Sequence, residues 1–135
     1  MVDNKVLQDS QPEALRFLRA RFGDEVAFRF IERFIGREFV ISSPASINTS
    51  ADASEIIEAF GADVLNAIHA EYHYVPFRVP TARAFRYEFY ARQGLSTKEI
   101  APRLGISLRQ TYHIASQYKK RRAAKFQKWK QEAEQ

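Results

Sequence analysis

The 135-residue chain contains no cysteine. That excludes a disulfide framework, a thiol nucleophile and any cysteine-ligated zinc. Glycine and proline number five each, and no glycine-rich phosphate cradle, nucleophile elbow or Ser-His-Asp constellation can be found. No apolar run approaches the roughly 20 residues of a membrane span. Met1 to Gln11 is polar and lacks the basic-then-apolar order of a signal peptide, so a cytoplasmic protein without a membrane partner is expected. The length allows one core, or one core with a small appended module, and excludes a large multidomain enzyme.

What is abundant is positive charge, and it is unevenly placed. Residues 1–77 hold seven Lys or Arg against twelve Asp or Glu, a net −5, whereas residues 78–135 hold fourteen against four, a net +10. Such asymmetry points to a polyanion for the basic end, either nucleic acid or an anionic membrane surface, unless that end is simply a solvated tail.

The chain also resembles itself. Residues 22–42 align without gaps over 60–80, pairing Phe22 with Phe60, Gly23 with Gly61, Val26 with Val64 and Phe39 with Phe77. Each unit reads as helix, Phe-Gly break, helix and strand-like stretch. Helices are predicted from Pro12 to about Arg21, Asp24 to Ile35, Asp52 to Phe60 and Ala62 to Glu71. Ala27, Phe30, Ile31 and Phe34 share one face of the second helix, and Phe28 and Ile35 extend its apolar surface. The run at 42–50 is loop chemistry. Arg37–Ser42 and Tyr74–Pro80 should be extended, with Pro76 and Pro80 limiting the latter to an edge strand or a two-stranded ribbon. The apolar excess over residues 24–39 calls for cover, from the second repeat or from a second subunit, which motivates a homodimer.

The segment from Gly94 to Ile114 reads as a helix-turn-helix. Ser96 and Glu99 have the spacing of a capping box. Ile100, Ala101 and Leu104 face inward, Gly105 supplies the turn, and Ser107 caps a second helix predicted to run to about residue 119. That helix sends Thr111, Ile114, Ala115 and Tyr118 inward. It leaves Ser107, Leu108, Arg109, Gln110, Tyr112, His113 and Gln117 as base-reading candidates. Arg109 suits guanine, Gln110 suits adenine, and Leu108 can cover a thymine methyl. Ser96, Thr97, Lys98, Arg103, Lys119, Lys120, Arg121 and Arg122 are the phosphate candidates. Two residues fit less well: Pro102, which should kink or shorten the first helix at a cost of order 3 kcal/mol, and Thr111, polar at an inward position. Thr81 to Arg92, with Ala84, Phe85, Phe89 and Tyr90 at helical spacing, should support the module. The tail from Tyr118 to Gln135 remains helix-compatible and places Phe126 and Trp129 among Lys125, Lys128 and Lys130, fitting a phosphate clamp, a membrane-surface segment or a solvated stretch.

These residues together resemble the Mor/C family of phage transcription activators over about residues 12–122. Gly23-Asp24-Glu25, Phe34-Ile35-Gly36 and Phe39-Val40-Ile41-Ser42 stand for one copy of that family's unit. Gly61-Ala62-Asp63 with Phe77-Arg78-Val79-Pro80 stand for the other. Tyr72-His73-Tyr74 departs from the family's glycine-rich turn, and Ser42 stands where the pattern has proline. The resemblance implies a phage or prophage homodimer in the bacterial cytoplasm or nucleoid. It would bind an inverted repeat of double-stranded DNA and recruit host RNA polymerase.

The expected fold is therefore mainly α. It comprises a flexible N-terminus (1–11), a duplicated helix-helix-strand dimerisation region (12–80), a helix-turn-helix (81–122) and a basic tail (123–135). The expected function is sequence-specific transcription regulation, without catalysis or cofactor. An architectural, nucleoid-type protein or an RNA-binding adaptor is the alternative. His69 and His73 are four residues apart but lack the His-Glu-x-x-His order, so no metal site is expected. Asp24, Glu25 and Asp63 sit at helix starts, where the helix dipole accounts for them.

Overall fold

Gly23 and Gly61 each interrupt a run of helix-forming residues in the same conformation, at φ 86° and ψ 166° and at φ 95° and ψ 165°. This backbone region strains any residue with a side chain. A Cβ built at either position meets nothing within 4 Å, so the requirement for glycine is conformational rather than one of space. A computed structural model describes residues 12–41, 51–73 and 75–133. The N-terminus before Pro12, the 42–50 run, Tyr74 and the last two residues lie outside the described residues, and with them the expected flexible terminus and loop.

The chain is mainly α, with a two-stranded antiparallel ribbon. It divides into two compact units at Thr81/Ala82. The first unit contains α1 (Glu13–Phe22), α2 (Asp24–Phe34), β1 (Glu38–Phe39), α3 (Ala51–Phe60), α4 (Ala62–Glu71) and β2 (Phe77–Arg78). Pro12 precedes α1 instead of opening it. Arg19 bridges the Gly23 break by donating to both carboxylate oxygens of Asp24, at 2.8 and 3.3 Å.

Several pairs of residues 38 apart are both buried. Leu15 and Ala53, Leu18 and Ile56, Ala27 and Leu65, Phe30 and Ile68, Phe39 and Phe77, and Ile41 and Val79 are buried on both sides. The ribbon sets Phe39 opposite Phe77 and Glu38 opposite Arg78, so the two strands pair within one chain. Phe30 holds the centre, with ring centroids 5.1 Å from Phe34, 6.4 Å from Phe39, 5.2 Å from Phe60 and 6.0 Å from Phe77. Arg37 lies over Phe39 and Phe34, donates to Asp52 at 2.9 Å, and pairs with Glu55. Those carboxylates, the Glu55 hydrogen bond foremost, raise its pKa above the ordinary value.

Of the two covers expected for residues 24–39, the structure of the single chain supplies the internal one. Ala27, Phe30, Ile31 and Phe34 are buried within the chain, Phe30 lying against Phe60 of α3 and Phe77 of β2, and of the flanking residues Phe28 is half-buried and Ile35 exposed.

The second unit is α5 (Arg83–Arg92), α6 (Thr97–Leu104) and α7 (Leu108–Ala133). Its interior is Phe85, Tyr87, Tyr90, Ile100, Ala101, Leu104, Thr111 and Ala115, together with the buried Arg86. Ala84 of the supporting helix is exposed, and Phe89 is half-buried. The last helix does not stop near residue 119. With no Gly or Pro after Gly105 to end it, α7 continues for 26 residues, about 39 Å, and the segment expected as a separate tail is its outer part.

Candidate nucleic-acid interface

The geometry of α6 and α7 is fixed by side chains at their first turns. The Glu99 N–H donates to Ser96 Oγ at 3.2 Å, and the Ser96 N–H donates to Glu99 Oε1 at 3.2 Å, a complete capping box. The Ser96 hydroxyl and N–H hold the Glu99 carboxyl below the usual carboxylate range. The same device recurs at α7: the Gln110 N–H donates to Ser107 Oγ at 3.1 Å, and the Ser107 N–H to Gln110 Oε1 at 3.3 Å.

Between the helices, Gly105 adopts the left-handed conformation at φ 69°, and its N–H reaches the carbonyls of Ala101 and Pro102. Pro102 lies in the last turns of an eight-residue helix and is exposed, as is Lys98, whose carbonyl it deprives of a helical donor. The cost of the missing bond is reduced because water can reach that side. Thr111 also becomes intelligible. It is fully buried, and its hydroxyl donates to the Ser107 carbonyl at 2.8 Å, so a polar group enters the core already satisfied.

The supporting helix contributes a residue that patterning missed. Arg86, only 4% exposed, donates to the Arg103 carbonyl at 2.9 Å. A cation thus meets the C-terminal end of α6, where carbonyls lack helical partners and the helix dipole is negative. Its apolar neighbours on both sides gave no signal that this arginine is internal. Tyr87 Oη lies 3.2 Å from Thr97 Oγ1, and the Tyr87 ring packs edge-on against Tyr118 at 5.8 Å.

Against this frame, Ser107, Leu108, Arg109, Gln110, Tyr112, His113 and Gln117 are all exposed. They are not equivalent. Arg109, His113, Gln117 and Lys120, at spacings of four, four and three, form one stripe on the side of α7 opposite the buried Thr111 and Ala115. Tyr112 flanks it, 49% exposed, whereas Leu108, 40% exposed, lies in the first turn nearer the Ala115 side. Ser107 and Gln110 are engaged in the cap. A bidentate Gln110–adenine pair would require Oε1 to leave the Ser107 N–H, and the Ser-x-x-Gln spacing was the signal that could have revealed this.

Among the phosphate candidates, Lys98, Lys119, Lys120 and Arg122 are exposed, and Arg121 is half-buried. Arg103 lies over the Tyr90 ring at 5.4 Å, and the hydroxyls of Ser96 and Thr97 serve the cap and Tyr87. Ile114 and Tyr118, expected inside, are half-buried because the core ends beside them.

No family model, curated protein or solved structure matches the chain. Residues 82–135 carry thirteen Lys or Arg against four Asp or Glu, a net +9, and no described helix is long and apolar enough to cross a membrane. His69 Nε2 and His73 Nδ1 lie 3.4 Å apart on the first unit. Among the described residues no group of three or more His, Asp or Glu could hold a metal ion.

Proposed function

We propose that the chain is a sequence-specific, double-stranded-DNA-binding transcription regulator in which α6, the Gly105 turn and α7 act as a helix-turn-helix. The observation that carries this reading is the Arg109, His113, Gln117 and Lys120 stripe. It is a solvent-facing row of hydrogen-bonding and cationic groups, on a helix whose opposite face is anchored and whose first turn is fixed by a cap. A helix of that form fits the B-DNA major groove, where each base pair presents a distinct pattern of donors and acceptors. The net +9 of the unit supplies the sequence-independent attraction to phosphate.

Arg109 is assigned to base recognition, and Lys98, Lys119 and Lys120 to phosphate. The two helix-Gly-helix-strand units are read as a duplication. Assembly as a homodimer, recruitment of host RNA polymerase and a bacterial, phage-derived setting come from the Mor/C resemblance and form part of the proposal.

Selection of bound fragments from a random duplex library, followed by footprinting, tests the reading. A bounded footprint with a preferred sequence is the expected result. Arg109→Ala should then cost about 1–3 kcal/mol at one base pair and relax preference there. Binding that grows with duplex length and ignores sequence would instead make the protein architectural, and preference for folded RNA would make it an adaptor.

A further inference from the structure

The core-facing stripe of α7 outruns its core. Thr111 and Ala115 are buried and Tyr118 is half-buried, but the same stripe continues through Arg122, Phe126, Trp129 and Ala133, all exposed. Phe126 and Trp129 are 59% and 64% exposed, with ring centroids 6.0 Å apart and planes inclined by 35°. They sit half a turn around the helix from the Arg109 stripe, so a duplex held by that stripe does not touch them. Phosphate binding alone needs no ring in any case.

Cations surround the pair. Lys119, Lys120, Arg121 and Arg122 are consecutive, and at about 100° per residue they point to every side of the helix. Lys125, Lys128 and Lys130 follow. A helix that lies on a lipid surface separates its apolar face from its cations. Here Arg122 stands within the aromatic stripe itself, an arrangement that also spoils a continuous apolar face for a protein groove. A ligand that offers anionic charge on all sides and flat apolar faces between the charges is a single-stranded nucleic acid. The two rings lean on each other at 6.0 Å and both are largely exposed, so an unpaired base can stack on a free outer ring face.

We propose that Phe126 and Trp129 form a stacking site for unpaired nucleobases, with Arg122, Lys125, Lys128 and Lys130 holding the adjoining phosphates. This site does not depend on the duplex reading of the Arg109 face.

Trp129 is the chain's single tryptophan, so intrinsic emission reports on the site directly. The full chain is titrated with a single-stranded 20-mer of thymidine, with the dA·dT duplex of that length, and with phosphatidylglycerol vesicles. Binding is followed by Trp129 emission and by the anisotropy of labelled DNA. The expected result is quenching by the single strand and little change with the duplex. Phe126→Leu with Trp129→Leu should weaken single-strand binding about tenfold or more and leave duplex binding within about twofold. Circular dichroism should show the double variant as helical as the parent, both side chains being exposed. Unquenched emission, equal losses on single strand and duplex, or an emission blue shift produced only by vesicles would each overturn the proposal. Loss of duplex binding on Arg109→Ala with single-strand quenching intact would bear on the duplex reading alone.

Discussion

The two units solve the problem of stability in opposite ways. The first buries aromatic mass: Phe30, Phe34, Phe39 and Phe77 are almost wholly excluded from water. The second has a thin interior in which Ala101, Thr111 and Ala115 are small, and it is fastened by directed hydrogen bonds at helix ends. Packing is tolerant of a wet exterior but says little about where any single exposed side chain points. Caps and end bonds fix a helix's start and rotation, which is what a row of recognition groups requires.

The largest test of that contrast is Phe30→Ala. Removing a ring that touches four others should cost about 3–5 kcal/mol, through lost burial and the cavity left behind. Urea unfolding followed by residue-resolved hydrogen exchange should confine the loss to residues 12–81. Spread of the loss into 82–133 would show that the units share one cooperative transition, and the contrast would then describe two parts of a single folding unit.

Next in size is Arg86→Met, which keeps the apolar stem but removes the donor to the Arg103 carbonyl. A charged hydrogen bond of this kind contributes about 1.5–3 kcal/mol. The thermal midpoint of the second unit should fall, with faster exchange around Gly105. An unchanged midpoint would mean that desolvation of the buried guanidinium cancels its bond, and the second unit would then rest on packing as the first does.

The sequence reveals these two modes unequally. Breaks and caps are local: Gly23 and Gly61 recur at one offset, and Ser96 with Glu99 can be read from spacing alone. The Ser107 and Gln110 cap obeys the same rule but competed with an attractive base-reading role for Gln110. Arg86 escaped notice because only the tertiary partner, a carbonyl on another helix, makes a buried cation tolerable. The pairing of Phe39 with Phe77 within one chain depends on how α1–α4 pack, which no local pattern encodes. The end of α7 is illegible for a different reason: the stretch from Tyr118 is helix-compatible throughout, and a solvated helix without breakers carries no mark of where it stops.

The smallest effect probes the capping box by pH. Glu99 is exposed, and its carboxyl titrates below the usual carboxylate range because the Ser96 hydroxyl and N–H favour the ionised form. In the unfolded chain the ordinary value returns, so between the two values the unfolded state binds more protons than the folded one. The stabilisation is therefore fully present above the ordinary value and is lost as pH falls through that range and then through the folded value. Glu99→Gln keeps a carbonyl oxygen for the Ser96 N–H but cannot titrate. The difference between the melting curves of the two proteins should be flat at neutral pH and should narrow below about pH 5, while carboxylates common to both cancel. A difference independent of pH would show that the ionised carboxylate adds nothing beyond the neutral bond. Ser96 would then hold the start of α6 by its hydroxyl alone, and the second unit would owe one fewer of its fastenings to charge.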